Sequence, residues 1–375
     1  MQTQHQVLKR GGLYWDRDLL PRAVFDERFA AVQSALSASG DDAWLVYGDA
    51  QGYGDIAYVS HFLPRLRSVL GLVVKDAPPS LLANVGLRDI PASKTLTWFE
   101  DVRPFSRLPG EAVKLVRERG LDGARIGLVG TRAALPVAEW DAIAADLPDV
   151  TWVERDDAFR ALRARKDGAE LGAVALAFEL ARSGLRLAQA DLQPGKTVRQ
   201  AAALIDREMR MHAAEDVRLL VASGPQCGIA LRPVDDRLLA RGDAVMLYLA
   251  VEVQRHWAVA AQTYVLGAPV PAQRALIEKA AAAVAAMEAA ARPGEPVASI
   301  AEAAERAIGD DVLVRSARAY GLGSGIGLDQ EETPRISRVS TEKAGGANAL
   351  ALHVVLQRDG LGAVAARTIF LDDKA

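Results

Sequence analysis

Cysteine is almost missing from this chain: Cys227 is the only one in 375 residues. That excludes an intrachain disulfide framework and any zinc site built from several thiolates, and it fits a reducing compartment. Cys227 reads as a small packed thiol rather than a nucleophile. A basic excess is missing as well. The net charge is -3 and the charged residues, 25% of the chain, are interspersed, so no footprint for nucleic acid is expected. Long apolar runs are lacking. The alanine-rich stretch 279–291 is broken by Glu288 and falls short of the roughly 20 apolar residues that cross a bilayer. Met1 to Arg10 is polar with no apolar core of a secretory signal. The expectation is a soluble cytoplasmic protein with neither nucleic acid nor membrane as a partner.

Apolar residues are plentiful, at 50% of the chain. The length exceeds one ordinary core and suggests two domains. The first part alternates helix and strand patterns: helices over 23–39, 111–119 and 135–146, strands over 43–47, 68–74, 125–129 and 151–154. After a boundary near 155–166, a long amphipathic helix runs over 169–190 and closes at Gln193-Pro194-Gly195. Thr197 then caps a second helix to about 213. Strands follow at 217–223, 244–253 and 257–266. A second helix pair, 271–291 and 298–308, is separated by Arg292-Pro293-Gly294, and strands at 347–357 and 363–371 end the chain. The second domain reads as internally duplicated, and such duplication places a pocket between its halves.

The stretch Gly321-Leu322-Gly323-Ser324-Gly325-Ile326-Gly327, followed by Glu332-Thr333-Pro334, lets backbone approach something closely. Six further segments accompany it in order. They are Arg163-Ala164-Arg165-Lys166 with Glu170-Leu171, Ser223-Gly224-Pro225, Asp236-Arg237-Leu238, Gly242-Asp243, Gln262 to Gly267, and Arg367 to Leu371. Together they resemble the creatinase and Xaa-Pro aminopeptidase family over nearly the whole chain. The resemblance implies an α+β protein: a creatinase-like N-terminal α/β domain over 1–158 and a pita-bread domain with pseudo-twofold duplication over 159–375. It also implies a homodimer.

Peptidases of that family hold two divalent metals with two aspartates, one histidine and two glutamates, which ionise a bridging water and polarise a carbonyl. The resemblance places those positions on Tyr248, Val259, Ser324, a residue near His353 or Val354, and Ala366. A substrate-side histidine falls on Glu331. Valine, tyrosine and alanine lack the negative charge that two dications need, so no metal and no other cofactor is expected. Creatinase cleaves a carbon–nitrogen bond without metal through a histidine, but that position falls near Leu231.

What remains is polar. His353 is either a general acid/base or a core histidine bonded to backbone. Ser324 is either a nucleophile or oxyanion donor, or fills the volume of the missing histidine. Tyr248 is either a hydrogen-bond donor to an oxyanion or a plug in the metal cavity. Glu332 either partners His353 or bonds turn amides before Pro334. Gln262 belongs to the same set of substrate-binding candidates. Arg232 and Arg367 are either a carboxylate clamp or surface ion-pair residues. His61, Arg65 and Arg67 of the first domain are candidates for an anionic substrate group, or else sit on a solvated loop. His256 is expected to face solvent at its turn. Two functions follow. One is a metal-independent hydrolase or lyase acting on a small carboxylate-bearing nitrogen compound, and the expectation leans to it. The other is a catalytically silent relative serving as a binding or scaffold protein.

Overall fold

The computed structural model describes residues 13–64, 68–309, 321–344 and 348–371. It divides into two compact units, Met1–Arg163 and Ala164–Ala375.

The first unit runs α1 (Arg22–Ala38), β1 (Ala43–Asp49), α2 (Gly54–Ser60), β2 (Ser68–Val74), β3 (Ser80–Ala83), α3 (Ile90–Lys94) and β4 (Asp101–Pro104). It continues through α4 (Leu108–Glu118), β5 (Arg125–Val129), α5 (Thr131–Ala134), α6 (Val137–Asp146), β6 (Thr151–Glu154) and α7 (Asp156–Ala164). The six strands form a mixed sheet in the order β4-β3-β2-β1-β5-β6. The continuous apolar run Ala43 to Tyr47 is central, antiparallel to β2 and parallel to β5, and both its faces are covered, as such runs require. One face packs Leu45, Leu72 and Leu128 against Val113 and Val116 of α4 and Ile143 of α6. The division falls at 163/164, a few residues after the expected 158/159, because α7 is anchored in this unit. Phe159 sits against Trp44 and Tyr58, and Arg163 bonds the Asp55 carboxylate.

The second unit contains α8 (Gly168–Asp191), α9 (Val198–Met211), β7 (Asp216–Ser223), β8 (Ala244–Val253), β9 (His256–Val265), α10 (Pro271–Ala290) and α11 (Val297–Ile308). The strands β10 (Gly323–Gly325), β11 (Glu332–Arg335), β12 (Ala349–Arg358) and β13 (Leu361–Phe370) follow. Reciprocal capping boxes start α8 at Asp167 and Glu170, and α9 at Thr197 and Gln200, so orphan amides of both first turns are satisfied. The seven strands form an antiparallel sheet in the order β11-β10-β12-β13-β9-β8-β7. The duplication is visible in its connections. Gly195 and Gly294 both adopt positive φ, at 89° and 84°. Their amides donate to Leu239 and Ala344 carbonyls at 2.8 and 2.6 Å.

The sheet has two unlike faces. Leu350, Leu352, Val354 and Leu356 of β12 join Ile369 and the helices α10 and α11 in one buried core. Side chains alternate between faces along a strand. The other face carries Ala222, Met246, Ala261, Val355, Val364 and Ala366, together with Cys227. Among the described residues no helix is long and apolar enough to cross a membrane.

Candidate functional site

The second face of the seven-stranded sheet gathers the positions singled out in the sequence. Residues directly opposite on neighbouring strands share a face. Tyr248 lies opposite Ala261, Ala261 opposite Ala366, and Ala366 opposite His353. Register therefore assigns His353, not Val354, to this row. Val259 is two residues from Ala261; its amide donates to Thr368 Oγ1 at 2.9 Å, and its carbonyl accepts from the same hydroxyl at 3.1 Å. Ser324 lies opposite Ala351, which is two residues from His353. All five positions are thus on one face.

Three of them, Tyr248, Ser324 and His353, line a pocket of about 470 Å³ together with Gly321, Gly323, Gln330, Glu331, Arg335, Ile336, Ser337 and Ala351. The rings of Tyr248 and His353 meet edge to face with centroids 6.3 Å apart. Burial pushes the Tyr248 phenol far above its ordinary pKa, and the negative charge of Glu331 adds to the shift, so it is a neutral hydroxyl at physiological pH. Ser324 is buried and its hydroxyl donates to the Gly325 carbonyl at 2.8 Å. At the mouth, Arg335 pairs with Glu331 at 3.0 Å, both well exposed.

The glycine spacing serves this geometry. A Cβ on Gly323, at φ 132°, would lie 2.0 Å from the Ala351 carbonyl oxygen, so only glycine lets β10 pair with β12 there. A Cβ on Gly327 would lie 2.5 Å from Lys166 Cε and 3.1 Å from Glu332 Oε1. Lys166 and Glu332 form a buried ion pair of 2.6 Å, and Glu332 Oε1 also accepts from the Asp329 amide at 3.1 Å. Glu332 is therefore committed to holding the loop and does not line the pocket with His353, which corrects its expected catalytic role. His256 is also corrected: it is fully buried, its Nδ1 lies 2.6 Å from the Gln254 carbonyl, and its Nε2 lies 3.4 Å from Glu170 Oε1. The two-residue turn at Gln254 and Arg255 carries positive φ at both residues, but Arg255 bonds buried Glu215 at 2.9 Å, which draws the hairpin tip inward.

Other expected residues do not reach this face. Gln262 and Arg367 each follow an alanine of the row, Ala261 and Ala366, and so point to the opposite side. There Gln262 lies 3.5 Å from Tyr264 Oη, and Arg367 pairs with Glu288 of α10 at 2.6 Å. Arg232 is exposed and pairs with Asp235 at 2.8 Å, the surface alternative. His61 sits on neither an open loop nor a ligand-facing edge. It is buried within the first unit at the C-cap of α2, against the rings of Trp15 and Phe25. Arg65 and Arg67 lie outside the described residues.

The side chains present do not fit a dinuclear metal centre. Val259 and Ala366 offer no donor, the Tyr248 phenol is held neutral, and the Ser324 hydroxyl donates to backbone. Among the described residues no group of three or more His, Cys, Asp or Glu side chains is placed to hold a metal ion. Hard dications need several anionic or imidazole ligands at once, and this face supplies one imidazole.

Sequence reasoning missed Gln330 and Arg335 and gave Glu331 no role beyond a replaced histidine. All three line the pocket. The signal was available in part: a strand running Glu332–Arg335 alternates sides, but which of Gln330, Glu331 and Glu332 turns inward depends on the loop before it.

Residues 173–363 match the model of metallopeptidase family M24, and residues 28–165 match the creatinase/prolidase N-terminal domain. A Xaa-Pro dipeptidase of Pyrococcus horikoshii is 26% identical over 250 residues, covering 64% of this chain and 69% of that protein. A Xaa-Pro dipeptidase of Pyrococcus furiosus is 29% identical over 189 residues, 49% of this chain and 53% of that protein. Among solved structures, the prolidase from Thermococcus sibiricus superposes with a TM-score of 0.82 at 18% identity, covering 93% of this chain and 95% of that one. The α+β division into two domains is that of the pita-bread proteins.

Proposed function

The chain belongs to metallopeptidase family M24, and on that premise we propose that its pocket takes a small peptide-like compound, a Xaa-Pro dipeptide foremost. It cleaves a carbon–nitrogen bond there without a dinuclear metal centre. The observation carrying this reading is the row of Tyr248 and His353, with Ser324 beside it, around a pocket of about 470 Å³ at the positions the family uses for metal ligands. The pocket was kept while its anionic ligands were not, and an imidazole with a neutral phenol is a proton-transfer pair rather than a cation cage.

In this reading the His353 imidazole takes a proton from water as the water oxygen attacks the scissile carbonyl. It returns that proton to the departing amine nitrogen. The neutral Tyr248 hydroxyl donates to the oxygen that gains negative charge. Ser324 stays a wall of the pocket, since its hydroxyl is turned to the Gly325 carbonyl. No observation favours the silent scaffold over this reading.

The test is turnover of Xaa-Pro dipeptides with the purified chain, with and without a strong chelator, alongside elemental analysis of bound metal. The expected outcome is activity that the chelator leaves unchanged and that His353→Ala lowers by about 10²- to 10⁴-fold. Stoichiometric manganese, cobalt or zinc, with activity lost to the chelator and restored by the metal, would overturn it. So would the absence of turnover on every dipeptide tried.

A further inference from the structure

One polar atom of the pocket is left over. The side-chain Nε2 of Gln330 is buried and has no hydrogen-bond partner among the described residues, and Gln330 lines the pocket. A buried donor with nothing to donate to is uncommon, because water is lost without replacement. The two carboxylates that follow it in sequence are already engaged. Glu331 is turned to Arg335 at 3.0 Å, and Glu332 is held by Lys166 at 2.6 Å and by the Asp329 amide at 3.1 Å. The nearby Ser324 hydroxyl is spent on the Gly325 carbonyl. Beside the His353 imidazole and the Glu331 carboxylate, the pocket lining holds two donors, the Gln330 amide and the Tyr248 hydroxyl, which burial keeps protonated. A ligand complementary to such a lining brings the acceptor.

We propose that Gln330 is a specificity-determining residue, its side-chain amide donating a hydrogen bond to an acceptor oxygen of the bound substrate, a carboxylate or an amide carbonyl. This rests on the pocket being the substrate site. It assigns a role to a residue that sits between the glycine-rich stretch and the Glu332-Thr333-Pro334 turn. The arrangement also gives the pocket a polarity. Gln330 reads an oxygen, while the Glu331–Arg335 pair at the mouth leaves charge of both signs where a substrate enters.

Calorimetric binding of L-alanyl-L-proline and L-alanyl-L-prolinamide to the full chain tests this, with the wild type compared with Gln330→Met and Gln330→Glu. Gln330→Met keeps the length and removes the donor. Gln330→Glu keeps the shape and places an anion where the donor was. The expected result is a loss of affinity of about tenfold for Gln330→Met, and a larger loss for Gln330→Glu, with thermal midpoints close to the wild type. If the oxygen read is a carboxylate, Gln330→Glu weakens the acid more than the amide. If it is a carbonyl, both peptides weaken alike. Affinities within twofold of the wild type in both variants would overturn this assignment alone and leave the pocket reading standing. Failure of the wild type to bind either peptide would overturn the pocket reading, and the role of Gln330 with it.

Discussion

The two faces of the seven-stranded sheet are built from the same strands and have opposite characters. Toward the helices, β12 presents Leu350, Leu352, Val354 and Leu356, which interlock with Ala283, Met287 and Ile300 of the helix pair. On the other face the same sheet presents Ala222, Ala261, Ala351 and Ala366, with Tyr248, Ser324 and His353 among them. Branched chains fill volume and make the first face a packed core. Alanine does not, and beside Ala351 the space left open is lined by Tyr248, Ser324 and His353. A residue's neighbour in sequence is therefore a poor guide to its role. Ala366 lies opposite His353 in the row that faces the pocket side, and Arg367 beside it pairs with Glu288 on the far side.

The largest expected effect comes from breaking the packed face. Leu352→Ala removes a fully buried side chain from that core and should cost about 3 kcal/mol in urea unfolding. A cost below about 1 kcal/mol would mean that the helix side is no more tightly packed than the pocket side.

A smaller effect belongs to the pocket face. Burial pushes the Cys227 thiol from its ordinary 9.0 up to about 11. A raised pKa in the folded state means that the neutral thiol is favoured there. Its contribution is complete below about pH 9 and disappears as the pH rises through about 11, an effect of about 2.7 kcal/mol. Cys227→Ala should flatten the stability profile between those limits, and an unchanged alkaline slope would show that the thiol ionises as freely in the fold as out of it. The smallest effect sharpens the contrast between adjacent residues. Arg367→Ala removes only a half-exposed ion pair and should change stability by less than about 0.5 kcal/mol, with turnover intact. Loss of turnover would place Arg367 in the site after all.

Much of the fold was legible in the chain. Alternating and continuous apolar runs gave most strands, and the repeated Pro-Gly breaks announced a duplication that Gly195 and Gly294 carry out with matching hydrogen bonds. Helix starts were legible where capping residues stood, as at Thr197. The site was half legible. Motif spacing singles out Tyr248, Ser324 and His353, and strand register places them on one face of the sheet. Gln262 and Arg367 were misjudged because a one-residue step along a strand reverses the face. Glu332 stayed open between two roles for a different reason. Its partner, Lys166, is remote in sequence, and a buried carboxylate goes to whichever cation the fold brings.

By itself, the sequence determined the family and the two-domain α+β plan, since each depends only on which residue type occupies a motif position. Tertiary structure alone decided which of the surviving polar groups share a space. It brought His353 into line with Tyr248 across four strands, took Glu332 and His256 into buried partnerships, and left the Gln330 amide facing the pocket. The physical reason is that hydrogen bonds and ion pairs are satisfied by proximity in space. Strand register and loop closure, neither of which is written at any single position, set that proximity.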